Sequence, residues 1–129
     1  MSDYSILDSL PNAVCVINNK DLKVNYVNKL FDNTILPKKI AMGHNFSVEF
    51  LLEPTDQVKL AASVSLFETC TSTAPVSLGV METLCVETVG DLPRQRNVMW
   101  AMSCLDEENV ILSGTMMPLS LIHEGRRKM

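Results

Sequence analysis

The sequence predicts an α+β domain in the order two strands, three or four short helices and three strands. Three observations predict this order. The first third holds two β-branched runs around a polar turn, the middle has helical spacing, and the last third has strand-forming residues divided by short turns. Turns this short join antiparallel neighbours, so we expect the closing strands to form an antiparallel meander.

The opening of the chain predicts a β-hairpin. A short helix over Tyr4–Ser9, ended by Pro11, precedes a first strand at Ala13–Ile17. A turn rich in asparagine follows, and then a second strand at Val24–Val27. Both alternating sets of the first strand are apolar, so we expect it to be covered on both sides or to lie inside the sheet.

The middle of the chain predicts short helices separated by proline and glycine. The strongest one is capped by Thr55 or Asp56, because apolar residues at helical spacing follow them. The stretch 38–45 is expected to be an irregular link. The predicted helices are, in order, Asn28–Leu36, Phe46–Leu52 and Gln57–Thr69.

The last third predicts strands at Val76–Val89, Asn97–Leu105 and Val110–Met117. Along Asn97–Leu105 both alternating sets are almost entirely apolar, although a half-exposed antiparallel strand normally has one polar face. The sequence alone does not decide which set faces the core. The two sets are Val98, Trp100, Met102 and Cys104 on one side, and Met99, Ala101, Ser103 and Leu105 on the other.

Composition limits the class of protein. A length of 129 residues predicts one domain, and 47% hydrophobic with 20% charged residues excludes a disordered chain. The net charge of −4 argues against nucleic acid as a partner, and we interpret the basic cluster at 126–128 as a solvated tail. The N-terminus lacks the features of a signal peptide, and no apolar run could span a bilayer. We therefore expect a soluble, cytoplasmic protein that does not bind membranes.

Chemistry-bearing motifs are absent from the sequence. It has no glycine-rich phosphate loop, no Gly-x-Ser-x-Gly and no His-Glu-x-x-His, so we expect no enzymatic activity. Its two histidines, His44 and His123, and its scattered cysteines have no metal-ligand spacing. We expect Cys15, Cys70, Cys85 and Cys104 to be free thiols.

An ordered set of residues resembles the PAS domain, a sensory and regulatory module. The resemblance covers about residues 5–117. It implies a PAS fold, with a five-stranded antiparallel sheet and short helices packed on one face. It divides the chain into an N-terminal cap segment (1–11), the PAS domain (12–117) and a C-terminal tail or linker to an effector (118–129). The matching residues are Leu10-Pro11 before the first strand, Asn28 after the second, Gly43, Pro54-Thr55-Asp56, Trp100, the acidic turn Asp106–Asn109, and Gly114.

The chain departs from PAS subtypes that hold a coloured cofactor. Light-sensing LOV domains carry a reactive cysteine where this chain has Phe46, and haem-binding PAS domains usually carry a histidine on the long helix, which has none here. We expect neither a flavin adduct nor haem. Gly114 is followed by Thr115, Met116 and Met117 instead of the common Asp-x-Thr, so the usual coupling to a following helix is not predicted.

The resemblance implies a regulatory domain that acts through protein–protein interaction, as a homodimer or docked on an effector such as a kinase or another enzyme domain. Because PAS helices cover one sheet face, the excess apolar residues predict an exposed patch on the other. The alternative is that the N-terminal segment or the tail folds back over that face. The predicted interface residues are Val98, Trp100, Met102 and Met116.

A second hypothesis is a small-molecule sensor whose ligand lies in the PAS core between the sheet and the helices. A fully packed interior without a cavity is an equally good interpretation of the same core-like side chains. The candidate cavity lining is Cys15, Ile17, Phe46, Phe50, Val58 and Val64.

Overall fold

The computed structural model describes residues 5–67, 75–86 and 93–117. They form a five-stranded antiparallel sheet in the order β2-β1-β5-β4-β3. The strands are β1 (Ala13–Asn18), β2 (Val24–Val27), β3 (Val76–Val86), β4 (Pro93–Cys104) and β5 (Asn109–Met116). The helices are an N-terminal 3-10 helix (Ser5–Ser9), α1 (Lys29–Thr34), α2 (Lys38–Ala41), a second 3-10 helix (Val48–Leu51) and α3 (Pro54–Leu66). The predicted order of strands and helices is confirmed. Cys70, His123 and the basic cluster lie outside the described residues.

Two irregularities shape the sheet. The register of β1 against β2 shifts between Val16 and Ile17, and that of β3 against β4 shifts between Ser77 and Gly79. Gly79 has a φ of 78°, in the left-handed region where only glycine is free of steric cost. The shift therefore forms a bulge on an edge strand, and such bulges are a common protection of sheet edges.

The helices differ from the prediction at their ends. Asn28 caps α1, since its side chain accepts a hydrogen bond from the Phe31 backbone N–H. α3 starts at Pro54 with Glu53 as its N-cap, earlier than the predicted Thr55 or Asp56, because proline fits the first helical turn, where its missing N–H has no partner to lose. Lys38–Ala41, expected as part of an irregular link, forms the short α2.

The main hydrophobic core lies between one face of the sheet and the helices. Phe31 and Leu60 come from the helices, Phe67 is the C-cap of α3, and Trp100 and Met102 come from β4. The N-terminal 3-10 helix lies against the opposite face, where buried Leu7 clusters with Val14 and Val16. No helix within the described residues is long and apolar enough to cross a membrane.

Candidate functional site

A small apolar cavity lies inside the main core, between the helices and the sheet. The space that the centre of a water molecule can occupy in this cavity is only about 10 Å³. The cavity therefore has room for about one water molecule. The lining contains no charged side chain. It consists of Val48, Leu51, Leu52, Leu60, Leu78, Met81, Trp100 and Leu112.

Trp100 is held in the cavity wall by a short polar chain. Its indole N–H donates to the Thr83 hydroxyl at 2.9 Å, and that hydroxyl donates to the Met81 carbonyl at 3.2 Å. A Cβ at Gly114 would lie 2.8 Å from the Trp100 ring, so the ring packs where only glycine leaves space. The indole is therefore fixed, and its only donor is already engaged.

The predicted cavity residues do not line this cavity. Cys15, Ile17 and Val64 are buried in the same core, and Phe46 packs half-buried against it. For Phe50 and Val58 the prediction is wrong, because 56% and 71% of their surfaces are exposed. On each helix the buried neighbours, such as Leu51 and Leu60, take the inward positions, and the helical turn directs Phe50 and Val58 outward.

The prediction that Val98, Trp100, Met102 and Met116 form an interface on the outer sheet face is also wrong. Val98, Trp100 and Met102 are buried against the helices, and Met116 packs half-buried against the same core. The other alternating set of β4 faces outward, and Met99 is its most exposed member at 44%. Since both sets are apolar, no polar face marked the outer side in the sequence.

One half of the outer face is covered. Val14 and Val16 are fully buried there, beside Leu7 of the N-terminal 3-10 helix and half-buried Tyr26 and Ile111. The alternative that the N-terminal segment folds back over the sheet is thus confirmed for the β2-β1 side. No sequence pattern of that face identified Leu7 as the covering residue.

No element among the described residues covers the other half of the outer face, and the C-terminal tail lies outside those residues. Val80, 49% exposed, pairs directly across the strands with Met99, and Met99 pairs with Thr115. We call six of the outward residues around Val80 and Met99 the open patch. It comprises Val80, Met99, Ala101, Ser103, Ser113 and Thr115.

Comparison with known proteins complements this geometry. No protein-family model matches the sequence, and no curated protein matches it. The structure is similar to the PAS domain of the Cronobacter turicensis quorum-sensing receptor RpfR in complex with C12:0, with a TM-score of 0.61 and 18% identity over 85% of this chain and 97% of that chain. The same domain in complex with BDSF matches with a TM-score of 0.60, 18% identity and the same coverage.

A third similar structure is the PAS domain of an HTR-like protein from Haloarcula marismortui. Its TM-score is 0.52 and its identity 12%, over 88% of this chain and 92% of that chain. The chain has the PAS fold. At identities this low, the structural similarity establishes a shared fold and nothing about function, because one fold serves many functions.

Phe46 and His44 are the residues compared above with the cofactor positions of PAS subtypes. Phe46, which stands where LOV domains have their cysteine, packs edge-to-face on Phe50 with ring centroids 5.9 Å apart. His44 is exposed, and its carbonyl accepts a hydrogen bond from the Lys23 ammonium group. Within the described residues, no group of three or more His, Cys, Asp or Glu side chains could hold a metal ion.

The cysteines among the described residues divide into two kinds. Cys15 and Cys85 are buried free thiols, as predicted, and burial raises the pKa of the Cys15 thiol far above its ordinary value. Cys104 is disulfide-bonded, so the expectation of a free thiol is wrong there. Its partner is not among the described residues.

Proposed function

We propose that this PAS domain is a regulatory module that pairs through the open patch, with a second copy of the chain as the first partner to test. The observation that carries the proposal is the exposed pair of Val80 and Met99 beside outward residues that are small. Exposed apolar side chains that lie side by side on a sheet face are a feature of interaction surfaces. The second partner that we propose for the same surface is an effector domain.

The shape of the open patch supports self-pairing. Val80 and Met99 form a raised row, and the next row holds Ala101 paired with Ser113, whose side chains are short. A two-fold axis between the rows would place the raised row of one copy on the short side chains of the other. Such a self-complementary contact is what closed dimers require.

The charge of the open patch also supports pairing. None of its six residues is charged, although the exposed Glu82 lies next to it on β3. The cores of protein interfaces are depleted of charged residues because charges lose hydration there. The patch is therefore neutral, with one charged residue, Glu82, beside it.

Solution mass tests the pairing directly. We expect the wild-type chain to form dimers over a concentration series in analytical ultracentrifugation, and Met99→Glu or Val80→Glu to shift it to monomer, because each variant would bury an unpaired charge. Val58→Glu is the matched control, since Val58 is even more exposed but lies on α3, and it should leave the dimer intact. Dimers that persist in both patch variants would contradict the proposal. A monomeric wild-type chain would assign the patch to an effector instead.

A second candidate function is small-molecule sensing in the core cavity. Its support is the uncharged lining, together with two similar PAS structures that are complexes with C12:0 and BDSF. Typical ligand pockets measure about 300–1,000 Å³, so the cavity would have to expand before an alkyl chain could enter. The second 3-10 helix contributes Val48 and Leu51 to the lining, so it is an element whose displacement would enlarge the cavity.

Dodecanoic acid is the probe for this candidate. We expect it to change the fluorescence of Trp100, the only tryptophan of the chain, and to appear as a bound mass in native mass spectrometry. Leu60→Phe should fill the cavity and weaken binding at least about tenfold. Leu66→Phe, an exposed leucine on the same helix, is its control. Equal binding by both variants would rule out the cavity.

We further propose that the domain is not an enzyme, holds neither haem nor flavin and works in the cytoplasm. Phe46 at the LOV cysteine position and the exposed His44 support the absence of these cofactors. Free Cys15 and Cys85 support a reducing compartment, whereas the disulfide of Cys104 argues against one. A visible absorption spectrum of the purified protein tests the cofactors, and cell fractionation tests the compartment. An absorption band or a membrane-bound fraction would contradict these statements.

A further inference from the structure

Met99 is the most exposed methionine of the described residues, and it lies within the open patch. It is 44% exposed, whereas Met81 on β3 and Met102 on β4 are almost completely buried. β4 is paired with β3 on one side and with β5 on the other, so its backbone N–H and C=O groups lie inside the sheet. The exposed surface of Met99 therefore belongs mainly to its side chain.

The neighbours of Met99 leave its thioether accessible from solvent. Met99 pairs across the strands with Val80 and Thr115, and Ala101 follows it on the same face of β4. Each of these three side chains is shorter than that of methionine, and none is charged or aromatic. The thioether is therefore the part of the open patch that a small solute reaches first.

Oxidation of the thioether would make this apolar position polar. A hydroperoxide transfers one oxygen atom to the sulfur, its O–O bond breaks, and it leaves as water or as an alcohol. The product is methionine sulfoxide, whose oxygen is a strong hydrogen-bond acceptor. Methionine sulfoxide reductases reverse the reaction, in which two thiols become a disulfide and the oxygen leaves as water. Both forms of the residue are thus chemically interconvertible.

The side chains around Met99 are poorly suited to a sulfoxide. Val80 and Ala101 have no side-chain donor, and the Thr115 hydroxyl already donates to Asn12 Oδ1 at 3.4 Å. In its own copy of the chain, the sulfoxide oxygen would therefore be hydrated by water. Pairing through the open patch removes that water, and burial of a polar group that loses its hydrogen bonds opposes association.

We propose that Met99 is an oxidation site that switches off pairing through the open patch. The thioether form pairs. The sulfoxide form, made by hydrogen peroxide or another hydroperoxide on the unpaired chain, does not. The regulatory effect rests on the pairing proposed above, whereas the faster oxidation of Met99 than of the buried methionines depends on its exposure alone.

Met42 is the matched control residue. It is 40% exposed and forms the C-cap of α2, a helix that packs against the main core on the other face of the sheet. We expect it to be oxidised about as readily as Met99. Because it lies outside the open patch, its sulfoxide should leave pairing unchanged.

A hydrogen peroxide titration of the full chain tests the proposal. Peptide mass spectrometry measures the fraction of each methionine that gains one oxygen atom, and analytical ultracentrifugation measures the dimer dissociation constant of the same samples. We expect Met99 and Met42 to react before Met81 and Met102, which react only when the fold opens.

The dimer dissociation constant should rise at least about tenfold as Met99 is converted. It should return to its initial value after treatment with the two reductases that each act on one sulfoxide epimer. A sample that receives the thiol reductant without these enzymes controls for reduction of the Cys104 disulfide.

Two variants assign the effect to one residue, each compared with its own untreated sample. Met42→Leu retains Met99, so peroxide should weaken its dimer as in the wild type. Met99→Leu has no thioether at that position, so peroxide should leave its dissociation constant as it was. Dimers of Met42→Leu that survive conversion of Met99, or dimers of Met99→Leu that dissociate in peroxide, would overturn the switch.

The two measurements separate failure of the oxidation site from failure of the pairing. If Met99 is oxidised no faster than Met102, the oxidation site itself is wrong. If Met99 is oxidised first but the untreated chain is a monomer at every concentration, the pairing proposed above is wrong, and the switch fails with it.

Discussion

Asn28 uses the full hydrogen-bonding capacity of its side chain. Its Oδ1 accepts from the backbone N–H groups of Val14 and Phe31, both at 2.9 Å. Its Nδ2 donates to the carbonyls of Leu7 and Asn12, also both at 2.9 Å. One buried amide therefore ties the N-terminal 3-10 helix, the start of β1 and the cap of α1 together.

Replacement of Asn28 should be costly. Asn28→Ala leaves four backbone groups without their side-chain partner and removes a helix cap, so we expect the free energy of unfolding to fall by about 2–4 kcal/mol. Urea denaturation followed by circular dichroism measures it. Asn25→Ala is the control, because among the described residues the exposed Asn25 side chain bonds to Asn109 alone and its loss should cost less than about 0.5 kcal/mol. Similar losses for the two variants would contradict this interpretation.

At the scale of elements, the N-terminal 3-10 helix covers apolar surface of β1. Buried Leu7 contacts Val14 and Val16, and the Asp8 carboxylate accepts from the Lys29 backbone N–H at 2.9 Å. The helix is only five residues long, so it depends on these contacts and not on its own hydrogen bonds.

Substitutions of two neighbouring residues of this helix should therefore change the free energy of unfolding by very different amounts. Leu7→Ala opens a space over Val14 and Val16, and we expect a loss of about 2–3 kcal/mol in unfolding free energy. Ile6→Ala should change it by less than about 0.5 kcal/mol, because 73% of Ile6 is exposed. Chemical denaturation of both variants measures these changes. Equal losses of unfolding free energy would mean that the helix does not cover β1 in solution.

The β4–β5 turn carries a pH-dependent contact. The backbone N–H of Glu108, 2.9 Å from Asp106 Oδ1, lowers the pKa of Asp106; partial burial opposes this, and the side chain and N–H of Asn109 lower it further. A pKa lower in the folded than in the unfolded state stabilises the fold above the unfolded value of about 3.9, and this contribution disappears as the pH falls through the folded value.

We therefore expect part of the acid destabilisation to depend on Asp106. The contribution should stay below about 1 kcal/mol, because the carboxylate is largely solvated. Urea midpoints measured from neutral pH down to pH about 3 should fall less steeply for Asp106→Asn than for the wild type. Glu107→Gln in the same turn serves as the control and should keep the wild-type slope. An unchanged slope in Asp106→Asn would refute the role of this carboxylate.

At the scale of the whole molecule, the buried thiols of Cys15 and Cys85 report different openings of the fold. Cys15 lies on β1, between β2 and β5, and Cys85 lies on β3, at the edge of the sheet. Both are fully buried. Edge elements open at lower free energy than central ones.

Thiol labelling under native conditions should resolve this difference. We expect Cys85 to react with an alkylating reagent faster than Cys15, and Cys15 only through global unfolding, at least about a thousandfold more slowly than in urea. Mass spectrometry of peptides from timed samples measures both rates. Faster reaction of Cys15 would contradict the strand order as the determinant of local stability.

The sequence by itself determined the element order and the five strands, because these depend on local propensity and on a turn chemistry that neighbouring residues supply. Only the tertiary structure decided which alternating set of β4 faces the core, since both sets are apolar and the period of two is satisfied either way. It also decided that Phe50 and Val58 face solvent, that Leu7 covers β1 and that Asn19 bonds to the β4–β5 turn. Each of these depends on contacts between residues far apart in the chain, and local patterning contains no information about them.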